Sequence, residues 1–331
     1  MNTAMGNDLR GKLVVIGASL GGVSALQKIA ADLPANFPVP VAIVLHIGAN
    51  NSTLPDLLAA VGPNTASHAQ NGEPLRAGHL FVAPPGQHLL VSDGNLRLTK
   101  GPKENWARPA IDPLFRSAAL SYGARAIGIV LTGNLDDGTA GLQAIKSCGG
   151  IAIVEDPATA FAPSMPASAL ESVAIDYVLP IEAIGNQLRE LVMQENRSSP
   201  SVPEQVRLEH AAADGTANVM KELQKIATPS ALVCPECGGS LWEICEGLPS
   251  RYRCHTGHAY TLKTLKWAMD QTTEEAIWSA IRALQERALL SRRIAERRRD
   301  DAKPDEAASL KTQADADEAH ARQLRSLIKA A

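Results

Sequence analysis

Short, continuously apolar runs alternate with Ala- and Leu-rich stretches from residue 13 to about residue 179. Strands buried on both faces of a parallel sheet carry such unbroken runs, whereas helices repeat apolar positions every three or four residues. We therefore predict a doubly wound, mostly parallel α/β sheet with a β-hairpin formed by the runs at 79–83 and 88–91. The predicted strands are 13–16, 41–45, 79–83, 88–91, 126–131, 151–154 and 177–179, and the predicted helices are 23–33, 112–123 and 140–150.

The pattern changes after this domain. A Ser/Pro-rich stretch at 196–205 is typical of a linker, and the last 60 residues are rich in Ala, Leu, Glu and Arg with two apolar stripes at helical spacing. Thr272 with Glu275 has the spacing of a capping box, and Pro304 suits the first turn of a second helix. We predict a tail at 1–11, the α/β domain at 12–193, a partly helical linker at 194–230 with a helix near 219–227, a cysteine-rich module at 231–262 and a helical hairpin at 263–331.

Composition adds limits on the class of protein. Of 331 residues, 45% are hydrophobic and 20% are charged, which argues against a disordered or fibrous chain. The net charge of −3 gives no support for bulk binding of nucleic acid or an anionic membrane, and the basic run at 291–301 is interrupted by acidic residues, as on a solvated helix face. Neither a signal peptide nor an apolar run of membrane-spanning length is visible, so we expect a cytoplasmic protein without membrane insertion.

Glycines surround Ser19 where the first predicted strand turns into a helix, in the segment Ile-Gly-Ala-Ser-Leu-Gly-Gly at 16–22. At a helix N-terminus, backbone N–H groups and the helix dipole stabilise an anion, and small neighbours leave room for a substrate. This pattern is typical of a nucleophile turn. The alternative is a glycine loop that binds the phosphates of a dinucleotide.

A histidine and two aspartates follow other strands of the same sheet. His46 comes directly after the strand 41–45, where a dinucleotide-binding fold usually has an acidic residue. Asp136 and Asp137 lie in a glycine-flanked loop after the strand 126–131. The carboxyl ends of parallel strands meet at one edge, so these residues favour a Ser-His-Asp hydrolase, with nucleotide binding as the second interpretation. Physical reasoning alone does not choose between Asp136 and Asp137. Without such partners, His46 would be interpreted as a hydrogen-bonded structural histidine.

Six motifs, taken in order, resemble the catalytic domain of bacterial chemotaxis receptor methylesterases of the CheB type. They are IGASLGG, VLHIG, FVAPPGQHLLV, RPAIDPLFRSAA, LTGNLDDGTAGL and VEDPATAFAPSMPASAL, and they cover roughly residues 12–193. The resemblance implies that Ser19 is the nucleophile and His46 the general base. It also implies that Asp137, the aspartate directly before glycine, orients His46.

The resemblance further implies an esterase that needs no cofactor for catalysis. Its substrates would be glutamate γ-methyl esters, and also glutamines for deamidation, on the cytoplasmic helices of methylated chemoreceptors. Leu20, Asn134 and Met165 would shape the oxyanion hole and the substrate groove. Two of these depart from the family, which often has Thr at position 20 and Met at position 134, so substrate preference is open to change. Four other residues in these motifs are candidates for the groove or for salt bridges and packing: His88, Arg108, Asp112 and Arg116.

Family members that respond to phosphorylation commonly carry an N-terminal receiver domain, whereas this chain reaches its first strand by Leu13. We therefore expect a stand-alone catalytic domain without an aspartyl-phosphate switch on this polypeptide. A regulatory adaptor that binds receptors without catalysis is the alternative from another functional class.

Four of the five cysteines lie within 21 residues. In a reducing compartment such crowding indicates a metal site, and the pairs at 234–237 and 254–258 have the spacing of two zinc knuckles. We predict a structural zinc held by Cys234, Cys237, Cys254 and His258, with His255 as the competing ligand and Cys245 left in the intervening hairpin. Similar ribbons follow some stand-alone methylesterase domains. The ribbon and the helical hairpin would dock other chemosensory proteins.

Overall fold

The computed structural model describes residues 11–47, 51–195, 200–214, 219–244, 249–300 and 303–330. The chain forms two compact units, Met1–Leu265 and Lys266–Ala331, which are described separately.

A seven-stranded sheet forms the centre of the first unit. All of its neighbouring strands run parallel, in the order β3-β4-β2-β1-β7-β8-β9. The strands are β1 (Leu13–Ala18), β2 (Val41–Leu45), β3 (Thr65–His68), β4 (His79–Val82), β7 (Ala126–Val130), β8 (Ile151–Glu155) and β9 (Tyr177–Leu179). Since β1, β2, β4, β7 and β8 are buried along their whole length, the unbroken apolar runs do mark strands covered on both faces.

Helices cover both faces of this sheet and produce two apolar clusters, one on each side. The helices of the domain are α1 (Gly22–Asp32), α2 (Leu54–Val61), α3 (Ile111–Tyr122), α4 (Thr139–Ser147), α5 (Ser164–Ser172) and α6 (Ile181–Met193), with a 3-10 turn at Gly123–Arg125. Helix α3 is buried along most of its length. The prediction of a doubly wound α/β fold is confirmed.

The predicted hairpin is wrong in its pairing. The 79–83 run joins the parallel sheet as β4. Strand β5 (His88–Ser92) pairs instead with β6 (Asn95–Thr99) in a separate two-stranded antiparallel sheet. The turn between them is Asp93-Gly94, and both residues have positive φ values, 49° and 78°. This dipeptide is the strongest short hairpin signal in a sequence because it tolerates those angles, so the hairpin lies one strand later than predicted.

The rest of the first unit comprises two helices and a small sheet. Helix α8 (Val219–Ile226) confirms the helix predicted near 219–227, and β11 (Ser240–Ile244) and β12 (Arg251–Cys254) form the predicted hairpin between the cysteine pairs. The elements are α7 (Glu204–Asp214), α8 (Val219–Ile226), β10 (Ala227–Val233), β11 (Ser240–Ile244), β12 (Arg251–Cys254) and β13 (Ala259–Thr261). The four strands form an antiparallel sheet in chain order, which we call the ribbon.

The second unit is the predicted helical hairpin, formed by α9 (Leu262–Asp300), which begins in the first unit, and α10 (Pro304–Ala330). Its seam is made of small and branched apolar residues: Ile281, Ala288, Ala295, Ala307, Ala314 and Ala321 are buried. Arg292 pairs with Asp315 and Glu318 across the hairpin, so part of the basic run is neutralised by acidic residues. None of the helices in the described ranges combines the length and apolarity needed to cross a bilayer.

The interpretation of Thr272 and Glu275 as a capping box is wrong. Helix α9 begins ten residues earlier, and the Thr272 hydroxyl donates back to the carbonyls of Ala268 and Met269 within the helix. Thr261 caps the true start, because its hydroxyl accepts from the N–H of Thr264. The Thr-x-x-Glu spacing therefore lies inside the helix and is not a cap. The cap is provided by a threonine farther upstream.

We expect Phe115→Ala to lower the free energy of unfolding by about 3–5 kcal/mol, because Phe115 is fully buried in α3 and its removal leaves a cavity. Met193→Ala is the control, since Met193 is 77% exposed and should change stability by no more than about 0.5 kcal/mol. Urea unfolding measures both. A loss below about 1 kcal/mol for Phe115→Ala would contradict this account of the core.

Candidate active site

Three neighbouring strands of the sheet end at the candidate site. β2, β1 and β7 lie side by side, and their carboxyl ends lead to His46, Ser19 and the loop 131–138. The chain order reverses between β1 and β7, and ligands of open α/β sheets bind at such switch points.

The turn after β1 fixes the backbone of Ser19. Its N–H donates to the carbonyl of Thr132 at 2.9 Å, and its own carbonyl accepts from the N–H of Gly22 at 2.8 Å. Gly21 has a φ of 80°, and a side chain there would also meet the ring of Phe161. Helix α1 starts at Gly22, three residues after Ser19.

His46 connects the serine to one aspartate. Its Nδ1 lies 3.2 Å from Ser19 Oγ, and its Nε2 lies 2.7 Å from Asp137 Oδ2. When the ring proton is on Nε2, the ring donates to Asp137 and Nδ1 is free to accept the serine proton. The imidazole is partly exposed, whereas Asp137 is buried.

Asp137 is held by backbone and side-chain donors besides His46. The N–H groups of Ile111 and Asp112, in the first turn of α3, donate at 2.7 and 3.2 Å. The side chain of Asn105 donates at 2.8 Å, and the N–H of Gly138 donates at 2.9 Å. The carboxylate thus caps the start of α3, which has no side-chain cap of its own.

Asp137 and Asp112 are both buried, but their pKa values shift in opposite directions. Burial would raise the pKa of Asp137, but the hydrogen bond and charge of His46 and the donors from Ile111 and Asn105 lower it below its ordinary value. Burial and the charge of Asp137 raise the pKa of Asp112. Asp137 therefore stays ionised beside His46, as orienting an imidazolium requires.

Asp136, the other candidate, faces away from His46. Its Oδ1 accepts from the hydroxyls of Thr261 and Thr264 at 2.7 and 2.6 Å, at the end of the ribbon and the start of α9. Burial raises its pKa, against the lowering effect of these two hydrogen bonds. The geometry therefore separates the two aspartates that the sequence pattern left equivalent.

Leu20, in the serine turn, and Asn134, in the loop 131–138, are both exposed. Within the described ranges, neither backbone N–H makes a hydrogen bond to another residue. Met165 is fully buried beneath the neighbouring Gly133, where a side chain would collide with the Met165 sulfur and with Ser19. Met165 therefore supports the loop from below and does not line the surface.

A surface groove of about 570 Å³ borders Ser19 and His46. Its lining includes Leu20, which precedes α1, and Val23 and Gln27 on α1. Leu20 is 51% exposed and Val23 is 40% exposed, so the groove presents apolar side chains next to the serine.

Other residues in the quoted motifs have structural contacts. His88 bonds the carbonyl of Pro102 and the N–H of Ala110, and Arg108 donates to two carbonyls of the same loop. Arg116 forms a buried, double hydrogen bond with Glu104, at 2.7 and 2.9 Å.

The ribbon gathers the predicted metal ligands. One ligand atom each of Cys234, Cys237, Cys254 and His258 lies within 4.8 Å of the others. The distance from Cys237 Sγ to Cys254 Sγ is 3.7 Å, and His258 Nδ1 lies 3.6 Å from Cys254 Sγ and 3.7 Å from Cys234 Sγ. A tetrahedron with Zn–S near 2.3 Å and Zn–N near 2.0 Å has edges of roughly 3.5–3.8 Å, so this donor set fits zinc.

His258, and not His255, faces the three cysteines. His255 is exposed and lies beside Gly239, outside the group. Glu236 Oε2 lies 3.7 Å from His258 Nε2, the nitrogen turned away from the cysteines, as an outer carboxylate does at many histidine-ligated metals. Cys245, predicted to lie in the hairpin, falls outside the described residues.

A buried ion cluster joins the ribbon to the α/β domain, and no local sequence pattern predicts it. Glu104, in the loop before α3, accepts from Arg116 and also from Arg253 of β12, at 3.0 Å. Arg253 also donates to the carbonyl of Gly257 in the second knuckle. Burial would raise the pKa of Glu104, but the charges of the two arginines lower it to about 2.

The fold and the site define an α/β protein with a Ser–His–Asp constellation at the carboxyl edge of its sheet. The profile described as "CheB methylesterase" matches residues 14–188, more than half of the chain. The chain therefore belongs to the CheB methylesterase family.

Individual relatives agree with this family. "Protein-glutamate methylesterase/protein-glutamine glutaminase 2" of Anaeromyxobacter dehalogenans is 43% identical over 183 residues, 55% of this chain and 54% of that protein. A putative protein of the same description from Leptospira interrogans is 40% identical over 52% of this chain and 90% of its own length. This chain thus spans about half of the first relative. The crystal structure of the Thermotoga maritima CheB methylesterase catalytic domain superposes with a TM-score of 0.53 and 38% identity, covering 55% of this chain and 98% of that one.

Acid should weaken the fold partly through Glu104. Its pKa falls from 4.5 to about 2 on folding, so its contribution is complete above pH 4.5 and is lost as the pH drops towards 2. Between these values, the unfolding free energy of the wild type should fall more steeply than that of Glu104→Gln, by up to about 1.4 kcal/mol per pH unit. Urea titrations from pH 5 to pH 2.5 measure the slopes.

The control for this titration is Glu190→Gln, which changes an exposed glutamate on α6. It should keep the wild-type slope. Equal slopes for the wild type and Glu104→Gln would contradict the role given to the ion cluster.

Proposed function

We propose that this protein is a protein-glutamate methylesterase that uses Ser19 as nucleophile, His46 as general base and Asp137 as the carboxylate that orients His46. The observation that carries the proposal is the position of His46 between the Ser19 hydroxyl and the Asp137 carboxylate, at 3.2 and 2.7 Å. The names of its relatives support the same reaction.

In the first half of the reaction, Ser19 Oγ attacks the carbonyl carbon of a glutamate γ-methyl ester while its proton passes to His46 Nδ1. Asp137 stabilises the imidazolium through Nε2. The N–H groups of Leu20 and Asn134 hold the oxyanion, for which they are available in the described structure. When the tetrahedral intermediate collapses, His46 returns the proton to the leaving methoxide, and methanol departs.

In the second half, His46 removes a proton from water, and the resulting hydroxide attacks the acyl-enzyme. Collapse of this intermediate breaks the bond to Ser19 Oγ, which regains its proton, and a glutamate is released. A glutamine side chain follows the same route with ammonia as the leaving group, so deamidation needs no additional residue. Neither half requires a cofactor.

The substrate in this proposal is a cytoplasmic helix of a methylated chemoreceptor. The exposed Leu20 and Val23 beside Ser19 suit the apolar face of an amphipathic helix, whose modified glutamate would reach the serine from the polar boundary. Such a substrate places the enzyme in the cytoplasm. The side chain at position 134 lies exposed at the loop, where it is suited to influence substrate preference.

We expect Ser19→Ala to abolish methanol release from methylated receptor, lowering the rate by about 10⁴-fold or more, because no other group in the mechanism forms the acyl-enzyme. The measurement is release of radioactive methanol from receptor membranes labelled at the methyl ester. Ser326→Ala is the control, since Ser326 is exposed on α10, does not line the groove, and donates its hydroxyl to the carbonyl of Gln323 in its own helix.

Retained turnover in Ser19→Ala would contradict the assignment. A regulatory adaptor gives a different result, because it would bind methylated receptor while the wild type released no methanol.

We also propose a structural zinc in the ribbon, held by Cys234, Cys237, Cys254 and His258. Four protein ligands complete a tetrahedral shell and leave no position for a catalytic water. The metal would then close a small sheet that has little apolar core of its own. Docking of other chemosensory proteins remains a proposal for the ribbon and the helical hairpin.

Cys237→Ala should lose tightly bound zinc, because three ligands hold the ion less firmly than four. The purified wild type should contain one zinc per chain by elemental analysis after dialysis against a weak chelator. Cys148→Ala, which changes a buried cysteine at the end of α4, is the control and should retain that zinc. One zinc still tightly held by Cys237→Ala would refute this ligand set.

A further inference from the structure

The end of the ribbon and the first turn of α9 bind the loop that carries Asp137. Thr261 and Thr264 both donate to the neighbouring Asp136, at 2.7 and 2.6 Å. Both threonines are fully buried, as is Asp136. A buried carboxylate without donors is costly, so these hydroxyls fix the position of the backbone one residue before Asp137.

A second contact holds the same loop one residue earlier. Lys263 donates to Ser164 and Ser168 of α5, at 2.9 Å each. Both serine hydroxyls donate in turn to the carbonyl of Leu135. Leu135 has a φ of 63°, which is strained for a leucine and persists only where surrounding contacts impose it.

Asn105 provides the most direct link between the ribbon and the proposed triad. Its side-chain oxygen accepts from the backbone N–H of Thr261 at 3.1 Å. Its amide nitrogen donates to Asp137 at 2.8 Å and to Asp112 at 2.7 Å. Because the ribbon N–H must meet the amide oxygen, the NH₂ group is turned towards the two carboxyl groups. The ribbon thereby selects the amide orientation that supports Asp137.

The loop before α3 is also attached to the ribbon through its backbone. The Asn105 N–H donates to the carbonyl of Ala259 at 2.8 Å, and the Ala259 N–H donates to the carbonyl of Lys103 at 3.3 Å. The Glu104–Arg253 ion pair lies directly beside these bonds. Asn105 itself has a left-handed φ of 51°, so the loop keeps its shape through contacts with β12 and β13.

We propose that Asn105, Thr261 and Thr264 are positioning residues for the esterase reaction, so that the ribbon is a working part of the active site. This role rests on the proposed function. The ribbon holds Asp137 in line with His46 and fixes the loop whose Asn134 N–H faces the oxyanion. Small displacements of such groups reduce turnover strongly, whereas receptor binding takes place on the groove along α1, away from these contacts.

The test is steady-state methanol release by a variant that lacks both hydroxyls, Thr261→Val with Thr264→Val. This change keeps the side-chain shape and the Thr261 N–H but leaves Asp136 without its two donors. We expect kcat to fall about 10- to 100-fold while KM changes by less than about twofold. The serine double variant, Thr261→Ser with Thr264→Ser, restores the hydroxyls and should keep kcat within about threefold of the wild type.

Thr273→Val is the matched control. It makes the same chemical change on α9, where the hydroxyl donates to the Met269 carbonyl of its own helix, and it should leave kcat unchanged. Asn105→Ala is the second test variant. It removes the amide between Thr261 and Asp137 without altering the threonines, and it should lower kcat by a similar factor, so the proposal stays testable if the double valine variant does not fold.

A small fluorophosphonate separates this proposal from the proposed function. Its rate of reaction with Ser19 depends on the triad and not on receptor docking, so it should fall in step with kcat in the double valine and Asn105→Ala variants. Suppose that the wild type reacts with the probe and releases methanol, and that both folded variants match it in probe reaction rate and in kcat. That result would overturn the positioning role alone. Wild type that neither reacts with the probe nor releases methanol would overturn the proposed function and the positioning role together.

Discussion

The carboxylate of Asp137 is buried and ionised, and five N–H groups donate to it. An isolated carboxylate could not remain charged in such a place. The donors come from the end of β2, the loop before α3, the first turn of α3 and the residue after the aspartate itself. The relative placement of these four segments is therefore constrained by one charge, and the position of His46 follows from it.

The two adjacent aspartates of the loop 131–138 bind different partners. Asp137 turns towards His46, whereas Asp136 turns towards the hydroxyls at the start of α9. Because the two adjacent side chains take different partners, a single loop contacts both the triad histidine and the ribbon. The proposed zinc site lies on the ribbon, and Arg253, next to Cys254, carries the connection on to Glu104. The cysteine-rich module is thus continuous with the α/β domain through buried polar contacts.

The fold of the α/β domain could be predicted because its central strands are uninterrupted apolar runs. The edge strand β3 was missed because the segment Thr-Ala-Ser-His is polar and partly exposed, which resembles a loop. The local motifs around Ser19 and His46 were visible in the sequence. Asn105 and Arg253 were not, because each acquires its partners from a segment far away in the chain, and no local spacing encodes such contacts.

The different partners of Asp136 and Asp137 also limit which modules can be fused to the catalytic domain. A catalytic domain cut free at the end of α6 would keep Asp136 but lose both threonine donors and the N–H that orients Asn105. The residues at positions 105 and 136 are therefore matched to the C-terminal module and not only to the reaction. Fusing the domain to another module would require new residues at both positions. The boundary between the modules therefore depends on matched side chains as well as on where the chain is cut.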